Sequence, residues 1–216
     1  MIRFRLRILP AGFLLASVLM FADEWPAPQI REVFSPNRDH FVRITPGTSW
    51  GDTFGFGGSP KGPHARAEFY HRRRDGSYAP GATVSLPNPV APVEFFVTDK
   101  GNLATVDNWH NVGYGKALCL YSPDGAPICA YTLADLFSER EIERFDHSAS
   151  SILWHTGAVY LQADQKVVYI LIDTKGRGLG LNTATGAYQY CEWQGKDFLC
   201  RDHNQDRIWR PFSVGE

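Results

Sequence analysis

Little in this sequence advertises chemistry. It has no Cys-x-x-Cys pair, no Cys/His spacing of a zinc site and no His-Glu-x-x-His stretch, which removes the zinc-ribbon and metalloprotease readings. No Gly-Lys-Ser/Thr closes its glycine-rich stretch, so it has no phosphate-binding P-loop. Neither charge sign dominates. The 22 Lys+Arg stand against 23 Asp+Glu, a balance that implies no nucleic-acid partner and no anionic membrane surface. The one basic run, His71-Arg72-Arg73-Arg74, sits beside a turn and reads as a solvated strand end. Nothing in the composition calls for a cofactor.

Long apolar runs are also scarce, with one exception. Arg3, Arg5 and Arg7 precede an apolar stretch over 8–22, and Asp23 and Glu24 follow at once. That is short for a membrane span and suits the apolar core of a secretory signal, with Ala22 at the cleavage position. Residues 1–22 are therefore expected to be a signal peptide, with an uncleaved N-terminal anchor as the alternative. Cleavage leaves 23–216 as a single mildly acidic domain with no stable membrane span, secreted or periplasmic. Four cysteines fit an oxidising compartment. Cys119 and Cys129 lie symmetrically about Asp124, and Cys191 and Cys200 about the 195–196 step. Each pair is a candidate disulfide across its own hairpin, and free buried thiols are the alternative.

What is plentiful is β-forming residue and punctuation. Val, Ile, Phe and Tyr occur in short runs separated by 20 Gly and 14 Pro, the composition of an all-β chain. The stretch 93–133 sets the pattern: VEFFVTD, LATVDNW, KALCLYS and APICAYTL, each followed by a turn or loop signal. The same layout of strand, tight turn, strand, long loop, strand, tight turn, strand precedes it from Glu32 and follows it from Ala158. Ser35, Thr98 and Ala163 mark corresponding places in the three units. Three repeated four-stranded antiparallel meanders, plus a C-terminal hairpin and a strand over 207–210, predict a β-propeller-like fold. A β-sandwich is the alternative. Three units are few for a closed propeller. The C-terminal segment completes a fourth, or the sheets curl without closing, or a second chain supplies the rest. One short helical insertion is expected over 133–145, with Ser138 and Glu141 spaced as a capping box.

The segments SPNRDHFVRI and YSPDGAPICAY resemble the strand–SPDG–strand signature of TolB-type β-propeller repeats. The middle unit is also similar to a group of secreted bacterial proteins without a known activity. Both resemblances bear on the fold.

In a meander, successive connections alternate between two faces. The tight turns 37–39, 75–77, 100–102, 123–125, 164–166 and 185–186 then share one face. The connections 47–64, 108–115, 133–150 and 173–176 share the other, and rigid scaffolds commonly carry function on such loops. The candidate ligand-binding patch on that face is Trp50, Asp52, Phe56, Trp109, His110, Tyr114, Asp146 and His147. Aromatic rings beside glycine suit stacking on a glycan or peptide, and two carboxylate–imidazole neighbourhoods supply polar contacts. Asp107 with His110 could orient a general base or, joined by His147, help hold a metal. Asp107 closing its own turn is the plainer reading. Asp202, Asn204 and Asp206 begin like a calcium loop, but Arg207 stands where glycine is needed and Ser213 where a bidentate Glu is expected. Glycines 176, 178 and 180 do not keep dinucleotide-binding spacing. The sequence thus supports first a module binding a protein, peptide or glycan. Second comes a hydrolase using Asp/His acid–base or metal chemistry on the same face. A third reading is half of a homodimeric propeller or a subunit of a larger complex.

Overall fold

Strand His40–Thr45 shows how this chain builds a layer: Phe41, Val42 and Ile44 are buried, while Arg43 faces outward to pair with Glu32. The computed structural model describes residues 25–194, 197–201 and 212–213, with side chains as far as Glu192. The expected signal segment 1–22, the calcium-loop-like residues 202–206 and the strand expected over 207–210 lie outside the described residues. The first sheet holds β1 (Arg31–Phe34), β2 (His40–Thr45), β3 (Arg66–Arg72) and β4 (Tyr78–Ser85) in sequence order. The second holds β5 (Pro92–Val97), β6 (Leu103–Asn108), β7 (Leu118–Tyr121) and β8 (Pro127–Tyr131) in the same manner. Every pairing is antiparallel.

Between the second and third sheets the helical insertion forms two single turns, α1 (Leu133–Leu136) and α2 (Glu139–Ile142), within the span 133–145 expected for it. Each opens on its own acidic cap. Asp135 accepts from the Thr132 backbone N–H, and Glu141 accepts from the Ser138 backbone N–H and hydroxyl. A two-residue hairpin follows, β9 (Asp146–His147) with β10 (Ile152–Leu153). The third sheet runs β11 (Val159–Leu161), β12 (Val167–Leu171), β13 (Arg177–Asn182), β14 (Tyr188–Gln194), β15 (Asp197–Arg201) and β16 (Phe212–Ser213). The C-terminal strands thus widen the third sheet to six and do not start a fourth among the described residues.

Three consecutive meanders make the fold β-propeller-like, with the second sheet covered on both faces. Val42, Ile44, Ala67 and Phe69 of the first sheet meet Phe95, Val97, Leu103, Cys119 and Tyr121 of the second. The other face of the second sheet carries Ala104, Val106, Leu118 and Leu120 against Val168, Ile170, Leu179 and Leu181 of the third. All six residues of β6 are buried, because both of its faces are interior. A two-layer sandwich would leave one face of each sheet in water.

The first tight turns correspond through their hydrogen bonds. Arg38 N–H donates to the Ser35 carbonyl, Gly101 to Thr98 and Gln165 to Gln162. Gln162, and not Ala163, is therefore the equivalent of Ser35 and Thr98. One cysteine expectation fails outright: Cys119 and Cys129 are free thiols. A register shift at the end of the hairpin sets Cys119 opposite Ala130 and Cys129 opposite Leu120. One residue of slip reverses the face a side chain takes, so Cys119 enters one interlayer core and Cys129 packs on the other. Burial pushes both thiols up, Cys129 to about 12, which keeps them protonated and unreactive. Cys191 sits directly opposite Cys200 in the β14–β15 register, and the Cys200 side chain lies outside the described residues.

Candidate functional site

The long connections of the first two units meet, as alternation of the turns requires. The side chain of Asn111, 5% exposed, joins three of them. Its Oδ1 accepts from Phe54 N–H at 2.6 Å, while Nδ2 donates to the Phe54 carbonyl at 3.2 Å and the Ser150 carbonyl at 3.1 Å. The loops 47–64 and 108–115 and the insertion near 150 are thereby tied to one amide. Gly113 adds a backbone reason for the closeness: its φ is +79°, and a Cβ there would lie 2.8 Å from the Ile152 carbonyl oxygen.

Against this frame the loops place a cluster of half-buried rings. Trp50 begins a 3-10 turn, Trp50–Asp52, and meets Trp109 edge-on at 4.8 Å between centroids. Phe56 packs edge-on against Trp50 at 5.2 Å and against His110 at 4.8 Å. Trp25 closes the cluster from the N-terminal side, edge-on to Trp109 at 6.1 Å, and Trp109 Nε1–H donates to the Pro26 carbonyl at 3.0 Å. Beside the cluster, Phe54 stacks on Tyr114 at 5.7 Å with 15° between the planes. Phe54 is 58% exposed, a large apolar ring left to water. His110 holds a left-handed backbone, φ +66°, and its Nδ1 is buried with no hydrogen-bond partner. An unmatched buried ring nitrogen costs free energy unless something reaches it.

The remaining candidates lie elsewhere. Asp52 is bonded within its own loop, to Lys61 Nζ at 2.7 Å and Ser49 Oγ at 2.6 Å, with His64 Nε2 at 3.4 Å. The Lys61 ammonium and then the Ser49 hydroxyl hold its carboxyl well below the usual carboxylate range. Asp146 and His147 sit exposed on the β9–β10 hairpin, with His147 Nε2 3.4 Å from the Ile142 carbonyl oxygen. They do not join the ring cluster. Among the described residues no three His, Cys, Asp or Glu side chains form a metal-holding group, so His110 and His147 do not converge on one.

Asp107 does more than close a turn. It is 1% exposed, with φ +59°, and its carboxylate accepts from Gly113 N–H at 2.8 Å and from Trp154 Nε1–H at 2.9 Å. His155 Nε2 lies 2.7 Å away. Gly157 N–H donates to His155 Nδ1 at 2.9 Å, so the ring proton sits on Nε2 and points at Asp107. Both ring nitrogens are engaged, which makes this a closed pair bracing the base of the 108–115 loop. Trp154 and His155 escaped the sequence reading because their partner is 47 and 48 residues away.

A second overlooked group did leave a signal. Gly47-Thr48-Ser49-Trp50-Gly51 has the form Gly-x-Ser-x-Gly, and Ser49, Asp52 and His64 lie together. The geometry is not that of a nucleophile elbow. Asp52 stands between the serine and the histidine, Ser49 is fully buried with φ −86°, and only a three-residue 3-10 turn follows. Both glycines have a packing reason as well. A Cβ at Gly47 would lie 2.2 Å from the Pro89 carbonyl oxygen, and one at Gly51 2.3 Å from that of Ser59.

No protein-family model and no curated protein matches this chain. Among solved structures it is similar to the periplasmic gluconolactonase PpgL of Pseudomonas aeruginosa, at 10% identity and a TM-score of 0.40 over 86% of this chain. It is also similar to a putative 6-phosphogluconolactonase from Bacteroides uniformis, at 8% identity and a TM-score of 0.36 over 84% of this chain. The chain spans 57% and 56% of those two proteins, a little over half their length. The activities in those names belong to those proteins.

Proposed function

We propose that this chain is a secreted or periplasmic β-propeller-like binding module, built of TolB-type repeats, that takes a protein, peptide or glycan partner on its long-loop face. The observation that carries the reading is the ring cluster. Trp50, Phe56, Trp109 and His110, drawn from the long loops of two units, pack together half-buried beside the Phe54–Tyr114 stack. Aromatic surface on loops fixed by a buried amide offers contact area at little entropic cost. Asp52, Asp146 and His147 fall outside this set. The test is to probe glycan and peptide arrays with the chain lacking residues 1–22, beside its Trp50→Ala variant. A ligand on either array that loses at least about tenfold in affinity with Trp50→Ala, equivalent to about 1.4 kcal/mol, supports the reading. Ligands bound equally by both forms, or none bound, would sink it.

Hydrolysis is the second reading, favoured by the Ser49–Asp52–His64 neighbourhood on the same face. It requires His64 to replace Asp52 as the partner of the Ser49 hydroxyl, since the base must take the serine proton. Turnover of activated esters or lactones that Ser49→Ala abolishes, with array binding intact, would move the assignment to an enzyme.

A further inference from the structure

Two histidines face each other at the tight-turn end of the first sheet. His40 of β2 is the direct cross-strand partner of His71 of β3. The adjacent position is hydrogen-bonded, Arg72 N–H to the Asp39 carbonyl at 2.7 Å, so alternation makes 40 and 71 a non-hydrogen-bonded pair. In such a pair opposed side chains come closest, with Cβ atoms about 4.5–5.5 Å apart. Both rings take the face of Val42 and Phe69, toward the second sheet, because strand side chains alternate. Arg72, the next residue of β3, takes the other face for the same reason.

Both rings line one cavity of about 150 Å³ between the first and second sheets. Gly101 and Pro123, from two tight turns of the second unit, line it as well. Gly101 lies against the His40 ring: its φ is +83°, and a Cβ there would come 2.8 Å from His40 Nδ1. His40 is thereby half-covered, while His71 stays exposed. Neither imidazole has a hydrogen-bond or ion-pair partner among the described residues.

Imidazole binds Zn²⁺ and Cu²⁺ as a neutral donor, so the pair needs no surplus charge to act. Two nitrogens on one tetrahedral Zn²⁺ lie about 3.3 Å apart, a separation that rings on Cβ atoms so close can reach. No group of three His, Cys, Asp or Glu forms among the described residues, so the chain supplies two donors and water the rest. The cavity has room for those waters.

We propose that His40 and His71 form a two-imidazole site for a divalent transition-metal ion, Zn²⁺ or Cu²⁺, which bridges β2 and β3 beside the 100–102 turn. Hard ions such as Mg²⁺, which prefer oxygen donors, are refused. The site lies at the end away from the ring cluster and is independent of the long-loop reading.

The test titrates Zn²⁺, Cu²⁺ and Mg²⁺ into the chain lacking residues 1–22 by calorimetry, at about pH 7.5, above the ordinary imidazole value. Zn²⁺ and Cu²⁺ are expected to bind and Mg²⁺ is not. His71→Asn, at an exposed position, should weaken both at least about tenfold and leave the metal-free unfolding temperature unchanged. His40→Asn should weaken them equally. His147→Asn, on the β9–β10 hairpin, should change nothing. No binding of Zn²⁺ or Cu²⁺, equal binding of Mg²⁺, binding that His40→Asn or His71→Asn leaves intact, or a loss that His147→Asn matches would each overturn the proposal.

Discussion

The two ends of this molecule are built on opposite principles. At the tight-turn end, polar groups of the three units bond to one another. Asn37 N–H donates to Asp99 Oδ1 at 2.8 Å, and the Gln165 side chain both accepts from Asp99 N–H and donates to its other carboxylate oxygen. Asn102 Nδ2 reaches the Thr183 carbonyl, and Thr183 Oγ1 that of Gln165. At the long-loop end the units meet through rings. The first end sets the sheets in register. The second leaves aromatic surface open, with Phe54 58% exposed, and such surface is what a partner can use.

That contrast can be attacked from either end, and the largest effect is expected beneath the loops. Asp107→Ala strips a buried acceptor from Trp154, His155 and Gly113 at once, and should cost about 3–5 kcal/mol in urea unfolding. A cost below about 1 kcal/mol would show that the pair does not brace the face. Asn111→Ala should cost about 2–3 kcal/mol and reduce the near-ultraviolet circular dichroism of the ring cluster, because one amide ties three excursions. Unchanged aromatic signal would mean that the loops hold their places independently. At the other end, Asp99→Ala removes the central acceptor of the turn chain. It should cost about 1 kcal/mol while leaving that aromatic signal alone. A loss of the signal would join the two ends in a way the structure does not suggest.

The smallest effect concerns acid. The folded value of Asp52 is depressed, so whatever its contacts contribute is complete above its ordinary value of 3.8 and is lost only as the pH falls through the lower folded value. Tryptophan fluorescence of the 47–64 loop should therefore stay level from neutral pH to about 4 and change only in stronger acid. Lys61→Ala, which removes the largest cause of the depression, should move that change to higher pH. Thiol labelling sharpens the hairpin comparison. In denaturant without reductant, Cys119 and Cys129 should label, and Cys191 and Cys200 should stay silent if the facing register is closed by a disulfide.

The meander was legible because its signals are local. Asn37-Arg38-Asp39, Lys100-Gly101-Asn102 and Pro123-Asp124-Gly125 carry their turns in their own residue types, and alternation fixes which end each turn occupies. The meeting of Trp50 with Trp109 followed from the same parity. What was not legible depends on one-residue slips or on distance along the chain. The bulge near Ile128 turns Cys119 and Cys129 to opposite faces, and symmetry about Asp124 cannot reveal it. No period links Asp107 to Trp154 and His155, and nothing in the spacing separates Asp146 and His147 from His110. Ser49 did have a pattern, but its two glycines answer to backbone crowding at Pro89 and Ser59.

The doubly covered second sheet has a consequence for how such a chain could grow. A strand like Leu103–Asn108, interior over its whole length, has no wet side on which a sequence can drift. The edge strands of the first layer, Arg31–Phe34 and Tyr78–Ser85, do keep exposed positions. Duplication or loss of a unit would therefore have to begin at an end of the stack, and the centre is where the lineage should change most slowly.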